Sequence, residues 1–337
     1  MTRALIVHQA GPGVTVQDLG RPGYLAYGLS RGGAADRLAL CEGAALLGQA
    51  VDRAALEMAG MGGTFEATED MRIALTGAPM RASIDGAALA WNASHPLPAG
   101  ARLVIGPATA GVYGYLHVGG GIATPEILGA RSAHLAAGIG AALAAGDTLP
   151  VGPDRGTETG FVLDAEDRFT GGEVRVVAGY QTPMFPDDEL ARFEETRFTR
   201  DARGNRMGVR LAPDGRGFAS RAGLTVLSEA IVPGDIQVTG DGAPFVLMAE
   251  CQTTGGYPRI GAVLPCDLPR VAQAAPGTHL RLRFVPPEEA LAAERRAAEA
   301  RETLRRRVTR LVRDPHDIRD LLSYQLISGV IAGTEEE

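Results

Sequence analysis

The chain has 337 residues, 45% hydrophobic and 22% charged, which is long enough for two domains with their own cores and ordinary for a water-soluble globular protein. A formal net charge of −7 excludes nucleic acid as the main partner, because phosphate binding needs a surplus of cations. All 33 basic residues are arginine, so this chain forms no lysyl Schiff base, carries no phosphate-loop lysine and holds no biotin or lipoate as a lysyl amide.

With 45 Gly and 21 Pro, the composition favours a turn-rich β protein over a helical bundle. The apolar run Ala4-Leu5-Ile6-Val7 is too short for a signal peptide, and cytoplasm is the expected compartment. A first strand over 3–8 stops at Gly11-Pro12-Gly13. The stretch from Val14 to Tyr24 then holds Gln17, Asp18 and Arg21 on a loop whose glycines and proline are incompatible with a helix. Asp18 and Arg21 either lock that loop as a salt bridge, or Arg21 binds a carboxylate while Asp18 orients it or takes a proton. Gly28-Leu29-Ser30-Arg31-Gly32 has nucleophile-elbow spacing, but that motif belongs to an α/β sheet and the chain downstream reads as short strands. Asp36 is the expected N-cap of a helix ending near Leu47.

From 54 to 151 the pattern alternates strand and turn. Strands are expected at 55–58, 64–67, 72–75, 80–84, 102–105 and 112–118, the spacing of a barrel or sandwich. The glycines at 119–121 and at 138 and 140 lack dinucleotide-site spacing, and His134 reads either as a ligand-facing donor or as a surface histidine. Residues 1–151 are expected as one β domain, 152–172 as a linker, 173–286 as a second β domain and 287–337 as a helical tail. In the second series a turn carries Tyr180 and Gln181, and a short helix spans 187–193. Asp267 is the expected N-cap of a helix to Ala275. Cys41, Cys251 and Cys266 have no C-x-x-C spacing, which excludes a disulfide framework and a recognisable zinc site; Cys251 reads as a small buried hydrophobe. In the tail, Leu304, Val308 and Leu311 give a helical stripe over 288–312, and Ile318, Leu322 and Leu326 give a second.

The stretch Ala249-Glu250-Cys251-Gln252-Thr253-Thr254-Gly255-Gly256-Tyr257-Pro258 lies between two apolar runs. It reads either as a polar hairpin turn or as a loop offering backbone N–H groups and short side chains to a small polar ligand.

Several motifs together carry a resemblance. They are Thr15-Val16-Gln17-Asp18-Leu19-Gly20-Arg21-Pro22-Gly23, Gly32-Gly33-Ala34-Ala35-Asp36, Leu75-Thr76-Gly77-Ala78, Arg206-Met207-Gly208, Ser228-Glu229, Gln237 and Gln252-Thr253-Thr254-Gly255-Gly256-Tyr257-Pro258. Over residues 1 to about 285 the chain resembles the biotin-dependent carboxyltransferase family, which includes the C-subunit of 5-oxoprolinase (PxpC), the KipA proteins and allophanate hydrolase subunit 2. The match extends to part of the carboxyltransferase domain of urea carboxylase. The family's Gly-Pro-Gln stands here as Gly179-Tyr180-Gln181, and Gly32 replaces a family serine.

The resemblance implies a mainly β fold of two cyclophilin-like β-barrel domains, here with a C-terminal helical extension. It implies a KipI-like partner (the B-subunit of 5-oxoprolinase), a LamB/YcsF-like partner (its A-subunit) and a small amide or lactam substrate. ATP is used by the complex, and biotin, where used, arrives on a separate carrier. Three activities follow: a component of an ATP-dependent 5-oxoprolinase, half of a urea- or guanidine-type carboxyltransferase, or a regulator that binds a KipI-like kinase inhibitor. For the enzyme readings, Asp18 and Glu229 are the expected bases. Arg21 or Arg206 holds a substrate carboxylate or carboxybiotin, and Gln181 and Gln252 read the amide. Thr253, Thr254, Gly255, Gly256 and Tyr257 line the site, with the Thr254–Gly256 backbone as an oxyanion site.

Overall fold

The computed structural model describes residues 3–221, 223 and 225–312. The fold is mainly β, as expected. The N-terminal half forms two sheets. One is six-stranded, built on Ala4–Ala10, Gly63–Ala67 and Arg102–Ala108; the other is seven-stranded, built on Ala55–Ala59, Tyr113–Val118, Met71–Gly77 and Ala93–Leu97. Between them lie Leu5, Phe65, Ile73, Leu103 and Leu116, each fully or almost fully buried. Arg102–Ala108 shows the alternating burial of a strand with one wet face. Tyr113–Val118 is buried throughout, because helix α1 (Arg37–Leu47) lies against its other face. Asp36 caps α1 as expected, its carboxylate accepting the Ala39 N–H at 3.2 Å.

In the C-terminal half, seven strands close into a barrel in the order Gly172–Val177, Arg259–Val263, Asp235–Val238, Pro244–Leu247, Gly208–Pro213, Arg197–Gly204 and His279–Phe284. Helix α2 (Asp187–Glu195) plugs it with Phe193, which packs against Phe198, Phe218 and Phe284 at centroid distances of 5.3–5.7 Å. This core continues without a break into Ala34, Ala39, Leu40 and Tyr115 of the first half. The short helix α3 (Leu268–Gln273) follows Asp267. The Asp267 carboxylate does not cap it, being held by the backbone and guanidinium of Arg175 at 2.6–2.9 Å.

Residues 152–172 and the helical tail are both tied into the first half. Phe161–Val162 adds a strand to the seven-stranded sheet, and Arg168 is buried between Asp36 and Glu42 at 2.6–2.8 Å. Helix α4 (Pro287–Arg307) ends before the expected Val312 and packs on α1, burying Leu304 beside Leu46 and Leu47. After it, Thr309–Arg310 pairs with Phe161–Val162, so the chain returns to its first half. The stripe at Ile318, Leu322 and Leu326 lies outside the described residues. No helix among the described residues is long and apolar enough to cross a membrane.

Candidate active site

The residues singled out in the sequence fall into three places. The first is the loop after strand Thr15–Gln17. Asp18 accepts the Gly20 N–H at 2.8 Å through one oxygen and the Arg131 N–H at 2.6 Å through the other. Arg21, 1% exposed, donates to the carbonyls of Ile127 and Ser132. Burial lowers its pKa, an effect opposed by Asp18 and Glu250. The two side chains form no mutual ion pair, and Arg21 Nη1 is buried without a hydrogen-bond partner among the described residues. Together they clamp the segment 127–132 onto the loop, which is a positioning role.

Arg206 is the second place. It is buried at the junction of the halves, with Nε 2.6 Å from Glu250 and Nη groups on Glu57 and the Gly33 carbonyl. Glu57 also accepts the Tyr115 hydroxyl at 2.6 Å and the Ala35 N–H at 2.8 Å. The guanidinium is fully engaged between two carboxylates, so it holds the halves together instead of a substrate carboxylate.

The third place is one end of the barrel. The flanking strands Pro244–Leu247 and Arg259–Val263 are not paired with each other, because Asp235–Val238 lies between them. The polar stretch is therefore no hairpin turn. It crosses the end of that central strand, and Thr254–Gly255 pairs instead with Glu229–Ala230. Its carbonyls at Thr253 and Gly256 accept the N–H groups of Ile231 and Val226. Beneath it Gln181, 2% exposed, accepts the Arg259 N–H and donates to Glu229 Oε2, both at 2.9 Å. Arg259 pairs with the same Glu229 oxygen at 2.5 Å and with Asp235 at 3.1 Å. Glu229 Oε1 has no hydrogen-bond partner among the described residues. Gln252, Thr254 and Tyr257 of the polar stretch are exposed. A Cβ on Gly255 would meet Ile231 Cδ1 at 2.9 Å and overlap the Gln237 amide, so the stretch lies close against these two side chains.

Residues 27–285 match the family described as carboxyltransferase domain, subdomain A and B. The chain belongs to that family. This carboxyltransferase-domain chain is 34% identical over 293 residues, 86% of its own length and 94% of the other's, to a protein of Escherichia coli (strain K12) named as the C-subunit of 5-oxoprolinase. Its fold matches the solved structure of TTHA0988 with a TM-score of 0.76 and 30% identity, over 84% of this chain and 56% of that one. It also matches the Kluyveromyces lactis urea carboxylase with a TM-score of 0.79 and 22% identity, over 94% of this chain and 31% of that one, a likeness of fold.

Two further features of the carboxyltransferase-domain chain escaped sequence reasoning. His134 is buried, not on the surface, and its Nε2 lies 2.8 Å from Ser30 Oγ, with Glu250 3.9 Å from Nδ1. This looks like a nucleophile, a base and an orienting acid, but the protons run the wrong way. The Ala137 N–H points at Nδ1, and burial lowers the pKa of the ring, so the neutral imidazole carries its proton on Nε2 and donates it to Ser30. A serine that accepts from its histidine is not activated by it. The role of Arg259 was also missed, although its place directly after Tyr257-Pro258 puts it on the strand leaving the polar stretch. Cys251 is buried as expected, and burial pushes its thiol up to about 12.

Proposed function

We propose that this chain is the PxpC-like component of a heteromeric complex that opens the lactam of 5-oxoproline to L-glutamate with hydrolysis of ATP. The observation that carries this reading is the 34% identity to the C-subunit of 5-oxoprolinase across 94% of that protein. A lactam is a resonance-stabilised amide, and opening it requires a group that reads the N–C=O unit and one that manages the proton on nitrogen. Exposed Gln252 offers both a donor and an acceptor to the amide. Glu229 presents its free Oε1 for the proton, while Gln181 and Arg259 fix the carboxylate through Oε2. Thr253, Thr254, Gly256 and Tyr257 form the rim, and Gly255 sets its height over Gln237. The remaining groups, including those that hold ATP, come from the KipI-like and LamB/YcsF-like partners.

A second reading, transfer of a carboxyl group from carrier-borne biotin to a urea- or guanidine-type nitrogen, is favoured by the family match over residues 27–285. The same carboxylate would accept the proton from the attacking nitrogen. The test is to purify the chain with the products of its neighbouring genes and to follow ATP hydrolysis and glutamate release with 5-oxoproline. Turnover without a biotinylated carrier supports the first reading. Turnover of urea or guanidine only with such a carrier supports the second. A stable complex with neither activity overturns both and leaves the regulator.

A further inference from the structure

A cavity of about 280 Å³ opens between the two halves, away from the Gln181–Glu229 cluster and sharing no residue with it. One wall is apolar, made by Ala34, Pro233, Met248 and Leu268. Arg31 and Arg37 are the charged residues among those lining it. Among the described residues neither makes a salt bridge. Arg31 donates through Nε to the Leu19 carbonyl at 3.0 Å, and Arg37 reaches only the Gly32 carbonyl, at 3.5 Å. This is unusual for the chain, whose other half-buried or buried arginines mostly sit on carboxylates, as Arg168, Arg175, Arg206 and Arg259 do. Burial and the neighbouring Arg31 charge depress Arg37 to about 10, so the cavity holds two cations whose repulsion nothing inside it offsets.

Two unpaired guanidiniums facing an apolar wall suit an anion with a compact apolar body. The guanidinium fork matches a carboxylate in two parallel hydrogen bonds. The volume lies just below the range of about 300–1,000 Å³ typical of drug-sized ligands and fits a five- or six-membered ring. The neighbouring cavity, which shares Arg37, differs in kind, because four carboxylates, of Glu42, Asp164, Glu166 and Glu294, line it beside Arg301 and Arg307.

We propose that the cleft between Arg31 and Arg37 binds a small cyclic carboxylate, with the carboxylate on the two guanidiniums and the ring against Met248 and Leu268. The proposal rests on the 5-oxoprolinase reading only for the choice of first probe.

Calorimetric titration of the full chain with 5-oxoproline, its carboxamide and cyclopentanecarboxylate tests the proposal without any substitution. Both acids are expected to bind, and the carboxamide to bind at least ten-fold more weakly. Arg31→Gln and Arg37→Gln, checked for an unchanged circular dichroism spectrum, are each expected to weaken the acids by about ten-fold or more. Equal binding of acid and carboxamide, no binding of either acid, or undiminished binding to the double variant would overturn the proposal. Arginine-dependent binding of cyclopentanecarboxylate, in a protein whose complex does not turn over 5-oxoproline, keeps the cleft and removes the proposed substrate. Turnover of 5-oxoproline by the complex, with acid binding to the chain unchanged in the double variant, keeps the substrate and removes the cleft.

Discussion

Arg206 and Glu57 form a buried ion pair 149 positions apart in sequence, joining the C-terminal barrel to the seven-stranded sheet of the first half. Glu250 takes the other side of the same guanidinium. Removing the cation leaves two carboxylates facing each other away from water, at a cost of about 3–5 kcal/mol. Arg206→Met is therefore expected to lower the midpoint of denaturant unfolding strongly. A transition shifted by less than about 1 kcal/mol would mean the pair is not what joins them.

Gly43 sits inside α1 directly against the His117 ring. Helix propensity alone makes Gly→Ala stabilising by about 1 kcal/mol. Here the added methyl would overlap the imidazole, which is packed on all sides. Gly43→Ala is expected to destabilise by about 1–3 kcal/mol, read from thermal or urea unfolding. A rise in stability would show that α1 shifts freely on its sheet.

His117 is fully buried, its Nε2 2.8 Å from Thr76 Oγ1, and burial lowers its pKa to about 3. The folded value lies below the usual 6.5, so the unfolded chain binds the proton first. The stability this neutral ring contributes is complete above pH 6.5 and is lost as pH falls towards 3, by on the order of 5 kcal/mol. His117→Gln is expected to flatten the acid limb of the stability–pH curve. An unchanged slope between pH 6 and 4 would assign the acid sensitivity elsewhere.

For the barrel-end cluster, Glu229→Gln in the assembled complex is expected to reduce kcat by about 10²–10⁴-fold with folding intact, since it removes the proposed proton acceptor. Gln181→Ala removes one of the two groups that hold Glu229, leaving Arg259, and is expected to reduce kcat less. Gln252→Ala is expected to raise KM. Steady-state kinetics of the three variants separate these roles, and full activity in Glu229→Gln would dismiss the carboxylate as the base.

The β class, most strand positions, the Asp36 cap and the family are legible in the amino-acid order alone, because alternation, turn residues and motif order are local signals. That order also pointed to Gln181, Glu229 and 252–257, which the fold brings together. It could not separate a polar residue that faces a ligand from one that fastens a loop. Asp18, Arg21 and Arg206 have the side chains of a binding site, and the tertiary structure gives each an internal partner as well: the Arg131 amide, carbonyls at 127 and 132, and Glu57. Nor could it show that Arg31 and Arg37 lack carboxylate partners while Arg168 has two. Which carboxylates lie within about 4 Å of a guanidinium depends on chain crossings between residues far apart in sequence. Only the packing of the two halves decides that.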